Sequence, residues 1–417
     1  MKARIGYFIP EFPGQTHIFF WRERQILSEI GIETVLVSTR RPPKAIASHS
    51  WAEAAQKETN YLIPLTLQDV AIIVSELFKA GPIAWLNCLK IIAQSNDTSL
   101  LQKLRLLLLI FVAAKLVYLA HVAGWTHIHV HSCADAANIA MFASILADLS
   151  YSLSLHGPTL EVYGSNQAQK WHHAAFALII SKKLLQETQD ALANFLPRRI
   201  VVAPMGVNLD KIKRHSPYIP WESGLCKIYS CGRLNPIKGH KDLIEVVSLL
   251  RQRGFDIRLQ IAGEDEQGGI GYRQELEKVI QEKEMSDYVK LLGAVSEAEV
   301  RQGLEEADLF ALASLNEGIP VAVMEAMAME MPVVVTDVGG TSELVDNGVD
   351  GILVQPENPE EMADAIVKIL QNKELALRLS QESRKKVAAK FHHRLSAEAY
   401  SGCLEELAKG VEYSQKR

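Results

Sequence analysis

The sequence predicts an α/β protein built from two Rossmann-like, doubly wound units. Three observations predict it. Short apolar runs alternate with stretches of helical periodicity, the pattern of a mostly parallel sheet covered by helices. The alternation stops in a stretch rich in Pro, Gly and polar residues, 204–224 (PMGVNLDKIKRHSPYIPWESG), and then restarts. The length, 417 residues, suits two domains.

The first unit opens with an apolar run from Ile5 to Ile9 that reaches Pro10, and a second run follows at 34–38 (TVLVS). Between them, apolar positions from Ile18 to Ile30 recur at helical spacing and stop at Gly31, giving a β-loop-α-β unit with its loop at 10–16. Residues 65–123 read as several helices. Strands follow at 127–131 and 151–155 with a helix between them, then near 177–181 and 200–203. In the second unit, strands are expected at 227–230, 257–262, 288–292, 308–312 and 332–336. Helices are expected between them at 240–252, 272–284, 297–305 and 320–329, and then at 360–372. Charged helices fill 376–412. The expected units are therefore 1–205 and 216–390, facing a cleft, with a last helix in 391–417 crossing back to the first. Ligands of such sheets sit beyond the carboxyl ends of the strands.

Composition narrows the function. Hydrophobic residues make up 48% and charged residues 22%, which excludes global disorder. The net charge of −5 argues against a nucleic-acid partner. It is unevenly spread: 18 Lys/Arg against 14 Asp/Glu through residue 200, and 26 against 35 after it. Five cysteines without a CxxC pair fit a reducing cytoplasm. The N-terminal apolar stretch is too short for a signal peptide. The longest apolar run, Leu106 to Ala114, is stopped by Lys115. A membrane span needs about 20 residues, so this run reads as a helix of a soluble protein that touches a bilayer.

The chemistry concentrates in the second unit. In Glu317-Gly318-Ile319-Pro320, Gly318 permits a strand-to-helix corner and Pro320 suits the first helical turn. Glu317 then lies in the loop and Glu325 early on the helix. An ionised carboxylate only accepts hydrogen bonds, so a sugar diol is a natural partner; two solvated surface glutamates would leave the same spacing. Residues 232–239 (GRLNPIKG) place Arg233 and Lys238 in one short loop, a guanidinium and an ammonium suited to a diphosphate. In 339–343 (GGTSE) glycines lead into a helix that Thr341 or Ser342 would cap.

These motifs, together with 307–345 (ADLFALASLNEGIPVAVMEAMAMEMPVVVTDVGGTSELV) and 346–366 (DNGVDGILVQPENPEEMADAI), resemble the family 4 glycosyltransferases of the GT-B fold. The resemblance covers about 226–370 tightly. It implies that Arg233 and Lys238 hold the donor diphosphate, that Glu317 and Gly318 sit near the donor sugar, that Glu325 binds the ribose hydroxyls, and that 289–295 flanks the base. The opening, 8–31, resembles exopolysaccharide members of the same family. Gln15, Thr16, His17 and Ile18 partly replace their usual Ser-Glu-Thr-Phe. Gly14 is the position for close backbone approach to the donor phosphates, or a plain turn glycine.

His127, His129 and His131 share one face of a strand, an alternation that a metal site would use, but no carboxylate or cysteine cluster completes a shell nearby. His156 stands at a strand end, where the family has a histidine close to the transferring sugar. Thr159 and Glu161 follow where exopolysaccharide members often have an acid, and Lys170 matches a family lysine. Between 79 and 120, five basic residues (Lys79, Lys90, Lys103, Arg105, Lys115) face one acid, Asp97, in an apolar setting. That suits an anionic membrane surface; ordinary core helices with basic outer faces would leave the same letters.

The reading is a retaining hexosyltransferase of polysaccharide biosynthesis, cytoplasmic and peripheral on the inner face of the membrane. It moves a sugar from a nucleotide-diphosphate sugar to a saccharide or lipid-linked saccharide without a metal or other cofactor. The expected catalytic residues are His156 and Glu317; the expected donor-binding residues are Gly14, Arg233, Lys238, Glu317, Gly318 and Glu325. A nucleotide-sugar epimerase or hydrolase on the same fold, and a non-catalytic nucleotide-binding partner subunit, are the alternatives.

Overall fold

The computed structural model describes residues 3–14, 17–42, 51–157, 159–265 and 271–410; Gln15, Thr16 and Pro158 fall outside them. The chain divides into two compact units. One takes Met1–Ala203 together with the chain from Ser396, the other Pro204–Leu395.

In the first unit β1 (Ala3–Glu11), α1 (Ile18–Glu29) and β2 (Ile32–Arg40) form the expected β-loop-α-β. They are followed by α2 (Ala52–Glu58), β3 (Asn60–Ile63) and two long helices, α3 (Leu67–Gln94) and α4 (Leu100–Ala123). Then come β4 (His127–Val130), α5 (Asp135–Ala147), β5 (Ser150–Leu155), α6 (Gln167–His172), β6 (Phe176–Ile179), α7 (Lys182–Leu192) and β7 (Ile200–Val202). The seven strands are parallel in the order β3-β2-β1-β4-β5-β6-β7. The order reverses between β1 and β4, the doubly wound switch point. Central strands are buried on both faces, so they read as unbroken apolar runs: Ile5, Tyr7, Phe8 and Ile9 of β1 are all buried.

The nine-residue apolar run proves to be the middle of a 24-residue helix, α4. Both α3 and α4 are long and apolar enough to cross a membrane, by length and composition only. Half of the most apolar window of α4 is nevertheless buried within the unit itself, against α5 and the sheet. α3 breaks at Gly81, whose φ of 75° takes it out of the helical region before Pro82.

The second unit repeats the architecture with β8 (Leu225–Cys231), α8 (His240–Gln252), β9 (Asp256–Ala262), α9 (Tyr272–Glu282), β10 (Val289–Gly293) and α10 (Glu297–Glu306). It continues with β11 (Leu309–Leu312), α11 (Val321–Ala328), β12 (Val333–Thr336), α12 (Thr341–Leu344), β13 (Ile352–Val354), α13 (Pro359–Leu370) and α14 (Lys373–Lys390). Its parallel order is β10-β9-β8-β11-β12-β13, with the reversal between β8 and β11. The last helix, α15 (Leu395–Ala408), packs on the first unit: the Tyr400 ring lies 4.3 Å from His129. All five cysteines are free thiols.

Candidate active site

The switch point of the second sheet is where the charged motifs meet. The loop after β8 contains a 3-10 turn, Pro236–Lys238, whose start is held by the Asn235 side chain accepting from the Ile237 N–H at 2.9 Å. The Gly239 that ends this turn has φ 62°, and a Cβ there would lie 1.9 Å from the Ala313 carbonyl oxygen. Glycine therefore lets this loop close onto the end of β11, where the Leu315 N–H donates to the Ile237 carbonyl at 2.7 Å.

That docking delivers the Lys238 ammonium to Glu317. Lys238 Nζ donates to Glu317 Oε1 at 2.5 Å, and the Ser314 hydroxyl donates to the same oxygen at 2.7 Å. Glu317 is only 8% exposed. A buried carboxylate needs this pairing, because an uncompensated charge at low dielectric is costly. Ser314 is held in turn, its carbonyl accepting from the Thr336 hydroxyl at 2.5 Å. Ser314 and Thr336 escaped the sequence reading; Ser314 stands three residues before Glu317, and only the loop's curl makes them neighbours.

Glu325 lies half-buried on α11. The Cys231 thiol at the end of β8 senses it, being pushed up to about 12 by burial and by the Glu325 carboxylate, against the pull of Lys238. Lys238, Glu317 and Glu325 thus surround the carboxyl ends of β8 and β11. Arg233 is half-buried in the same loop as Lys238. Its carbonyl faces His240 Nε2 at 3.0 Å, and burial pushes His240 down to about 4.

The 339–343 corner differs from expectation. α12 begins after Gly340 with no side-chain cap, and the Thr341 hydroxyl is buried without a hydrogen-bond partner among the described residues. The corner is held by main chain instead: the Gly340 N–H donates to the Gly318 carbonyl at 2.8 Å. Gly339 has φ 55°, and a Cβ there would lie 1.6 Å from the Glu317 carbonyl oxygen. Gly339→Ala is expected to lower stability by about 2 kcal/mol or more, because the φ penalty adds to a backbone collision. Gly254, with φ 90° and open space around it, isolates the first effect, and Gly254→Ala should cost about 1 kcal/mol. Thermal unfolding of the two variants measures the difference; equal losses would mean that the corner yields freely.

In the first unit the parallel register places His127 opposite Ser150 and His129 opposite Ser152. With side chains alternating along each strand, the serines and histidines line one face. His127 bonds Ser150 and Ser152 at 2.7 and 2.8 Å; His129 bonds Ser152 and Ser154 at 2.8 and 3.0 Å. The ring nitrogens are therefore engaged by hydroxyls. Among the described residues no group of three or more His, Cys, Asp or Glu is arranged to hold a metal ion.

His156 meets His131, Nε2 to Nδ1 at 3.0 Å, with Phe20 edge-on at 5.2 Å between centroids. Burial holds His156 down to about 3 and His131 well below the usual range, so this pair is neutral near pH 7. Behind it Glu23 accepts from the Tyr7 hydroxyl at 2.5 Å and from Ser396 of α15 at 2.7 Å. Burial raises the Glu23 pKa. His131, Tyr7 and Glu23 were not anticipated as neighbours of His156. Gly14 follows β1, at the switch point of this sheet; a Cβ there would lie 2.7 Å from the His17 ring. Lys170 is fully buried, with Nζ donating to the Cys133 carbonyl at 2.5 Å, and burial lowers it to about 8.

Residues 215–386 match the family model described as glycosyl transferases group 1. The matched span takes in most of the second unit. Its charged cluster at the ends of β8 and β11 lies wholly inside the matched region. Among curated relatives, alpha-D-kanosaminyltransferase of Streptomyces kanamyceticus is 31% identical over 42% of this chain and 44% of its own length. The amylovoran biosynthesis glycosyltransferase AmsK of Erwinia amylovora is 32% identical over 44% and 45%. The chain thus spans less than half the length of these relatives. Two solved structures share the fold along nearly the whole chain. A glycosyltransferase from Rickettsia africae has TM-score 0.71 at 16% identity, covering 99% of this chain and 100% of that one. Anabaena Alr3699/HepE in complex with UDP-glucose has TM-score 0.69 at 17% identity, covering 96% and 99%. The fold is GT-B, two Rossmann-like units each wound about its own switch point.

Proposed function

We propose that this protein is a metal-independent, retaining glycosyltransferase of polysaccharide biosynthesis. It transfers a sugar from a nucleotide-diphosphate sugar to a saccharide or lipid-linked saccharide at the cytoplasmic face of a membrane. The observation that carries the reading is the Lys238–Glu317–Ser314 cluster, held at the switch point of the unit that carries the group 1 glycosyltransferase match. As the bond to the anomeric carbon breaks, negative charge collects on the departing diphosphate. Lys238 and Arg233 stabilise that charge, and preorganised cations in a partly buried site are effective because they need no reorganisation. Lys238 then exchanges part of its contact with Glu317 for phosphate oxygen. Glu317 positions the donor sugar, and Glu325 accepts hydrogen bonds from the ribose diol. Gly14 lets main chain approach the donor phosphates, and His156, neutral at pH 7, bonds a sugar hydroxyl.

UDP-glucose is the first donor to test, since the Anabaena neighbour was solved with it. The experiment is thermal unfolding with UDP-, GDP- and ADP-sugars in excess EDTA, followed by nucleotide release on adding acceptor. A ligand at about 100 times its Kd adds about 2.7 kcal/mol of stability. One donor should raise Tm by several degrees with EDTA present. Stabilisation that appears only on adding magnesium or manganese would refute the metal-free site, and no stabilisation by any of them would refute the donor class.

A further inference from the structure

We infer that the α3–α4 hairpin seats an apolar stripe in the hydrocarbon margin of an anionic bilayer. The inference rests on the peripheral-membrane part of the proposed function and changes the dominant attraction from charge to apolar burial.

On α3, Leu67, Val70, Val74 and Phe78 recur at helical spacing and all face out, Leu67 at 92% and Phe78 at 88% exposure. On α4, Leu101, Leu104, Leu108 and Phe111 do the same. The opposite sides of these helices are also apolar: Ile73 and Leu77 of α3, and Ile110 and Val117 of α4, lie in the unit's core. The outer side of the hairpin therefore mixes these apolar residues with a minority of exposed polar ones, among them Gln68, Asn87, Lys90 and Gln102, where a water-exposed helix pair would be mostly polar. Monomer surfaces in water rarely carry continuous apolar stripes on this scale. Because the inner sides are packed on the unit, the helices lie along a bilayer rather than through it.

The charges around the stripe select the occupant. Only three acids occur from 67 to 123. Asp69 is turned inward to Lys115 at 3.1 Å, and Glu76 is buried beside His121 at 3.0 Å. Asp97 accepts from the Asn166 N–H at 2.6 Å. Lys90, Lys79 and Arg105 are exposed, Lys79 paired with Glu76 and Arg105 with Asp135. Lys and Arg still outnumber Asp and Glu five to three from 67 to 123, and this modest cationic excess matches anionic headgroups. Lys115, expected from the sequence as part of a basic docking face, points into the protein and contributes nothing to this one.

The test is flotation of the full chain with phosphatidylcholine vesicles containing phosphatidylglycerol, at low and at high salt. Binding should persist at high salt. Leu67→Gln/Phe78→Gln/Leu104→Gln/Leu108→Gln should reduce partitioning roughly 100-fold, while Lys90→Gln should reduce it only a few-fold. Transfer to a soluble acceptor should be unchanged in both, which separates this surface from the sugar-transfer chemistry; loss of that transfer in the apolar variant with unchanged Tm would place the stripe in the reaction instead. Binding that vanishes at high salt, or that survives the four apolar substitutions, would overturn the inference while leaving the enzyme reading intact. A wild-type chain that ignores these vesicles and forms dimers that the four-fold variant abolishes would assign the stripe to a second copy and overturn it too.

Discussion

Lys238→Ala is expected to lower turnover about 100- to 1,000-fold and to weaken nucleotide binding, the size seen when one preorganised electrostatic contact is removed from a transition state. It should also destabilise the second unit by about 3 kcal/mol. Glu317 would remain buried with its charge, keeping only the Ser314 hydroxyl of the two donors described, and breaking one side of a buried pair costs several kcal/mol. Glu317→Gln keeps the shape and removes the charge. In the double variant Lys238→Ala/Glu317→Gln the stability should return most of the way, while nucleotide affinity stays low. Denaturant unfolding and calorimetric titration with the nucleotide read the two effects separately. Wild-type nucleotide affinity in Lys238→Ala would contradict the phosphate role, whatever happened to stability.

The second large effect is acid sensitivity of the first unit. His127 and His156 are held down to about 3 by burial, and burial also keeps His129 and His131 well below 6.5. In the unfolded chain these groups titrate near 6.5. Below that pH the unfolded state takes up protons and the folded state does not, so stability falls as pH falls, until the folded pKa values are reached. Each such group contributes a slope of about 1.4 kcal/mol per pH unit. Four together set an upper bound of about 5.6 kcal/mol per unit, against a typical domain stability of about 5–15 kcal/mol. Glu23 works the other way. Its folded pKa is raised, so the folded state retains a proton above the unfolded value and this contribution diminishes as pH rises. In the second unit burial holds His240 down to about 4. Denaturant unfolding at pH 7.5, 6.5 and 5.5 should show the first unit losing stability steeply and the second much less. A flat profile would mean that the four imidazoles are accessible to protons in the native state.

The strands and helices that carry the two sheets were legible because their signals are local. An apolar run buried on both faces, followed by a helix with apolar spacing, announces itself within 30 residues, and it does so in both units. The charged loop motifs were legible for the same reason, since 232–239 and 317–320 each lie at a strand-to-helix corner. β3 and β13 passed unnoticed: they are four and three residues long and occupy sheet edges, so their assignment depends on a neighbour to pair with. The basic count over 79–120 misjudged Lys115, whose partner Asp69 is 46 residues away and is brought close only by the packing of α4 against the first half of α3.

Residue types and their order thus determined the α/β architecture, the division near residue 204 and the placing of the candidate carboxylates and cations at strand-to-helix corners. Tertiary structure alone decided that Lys238 meets Glu317 across 79 residues, that parallel register gives His127 and His129 serine partners, and that α15 brings Ser396 to Glu23. It also decided which side of α3 and α4 faces out. The physical reason is that direction and pairing depend on contacts far apart in the chain, whereas periodicity and corner chemistry act between near neighbours.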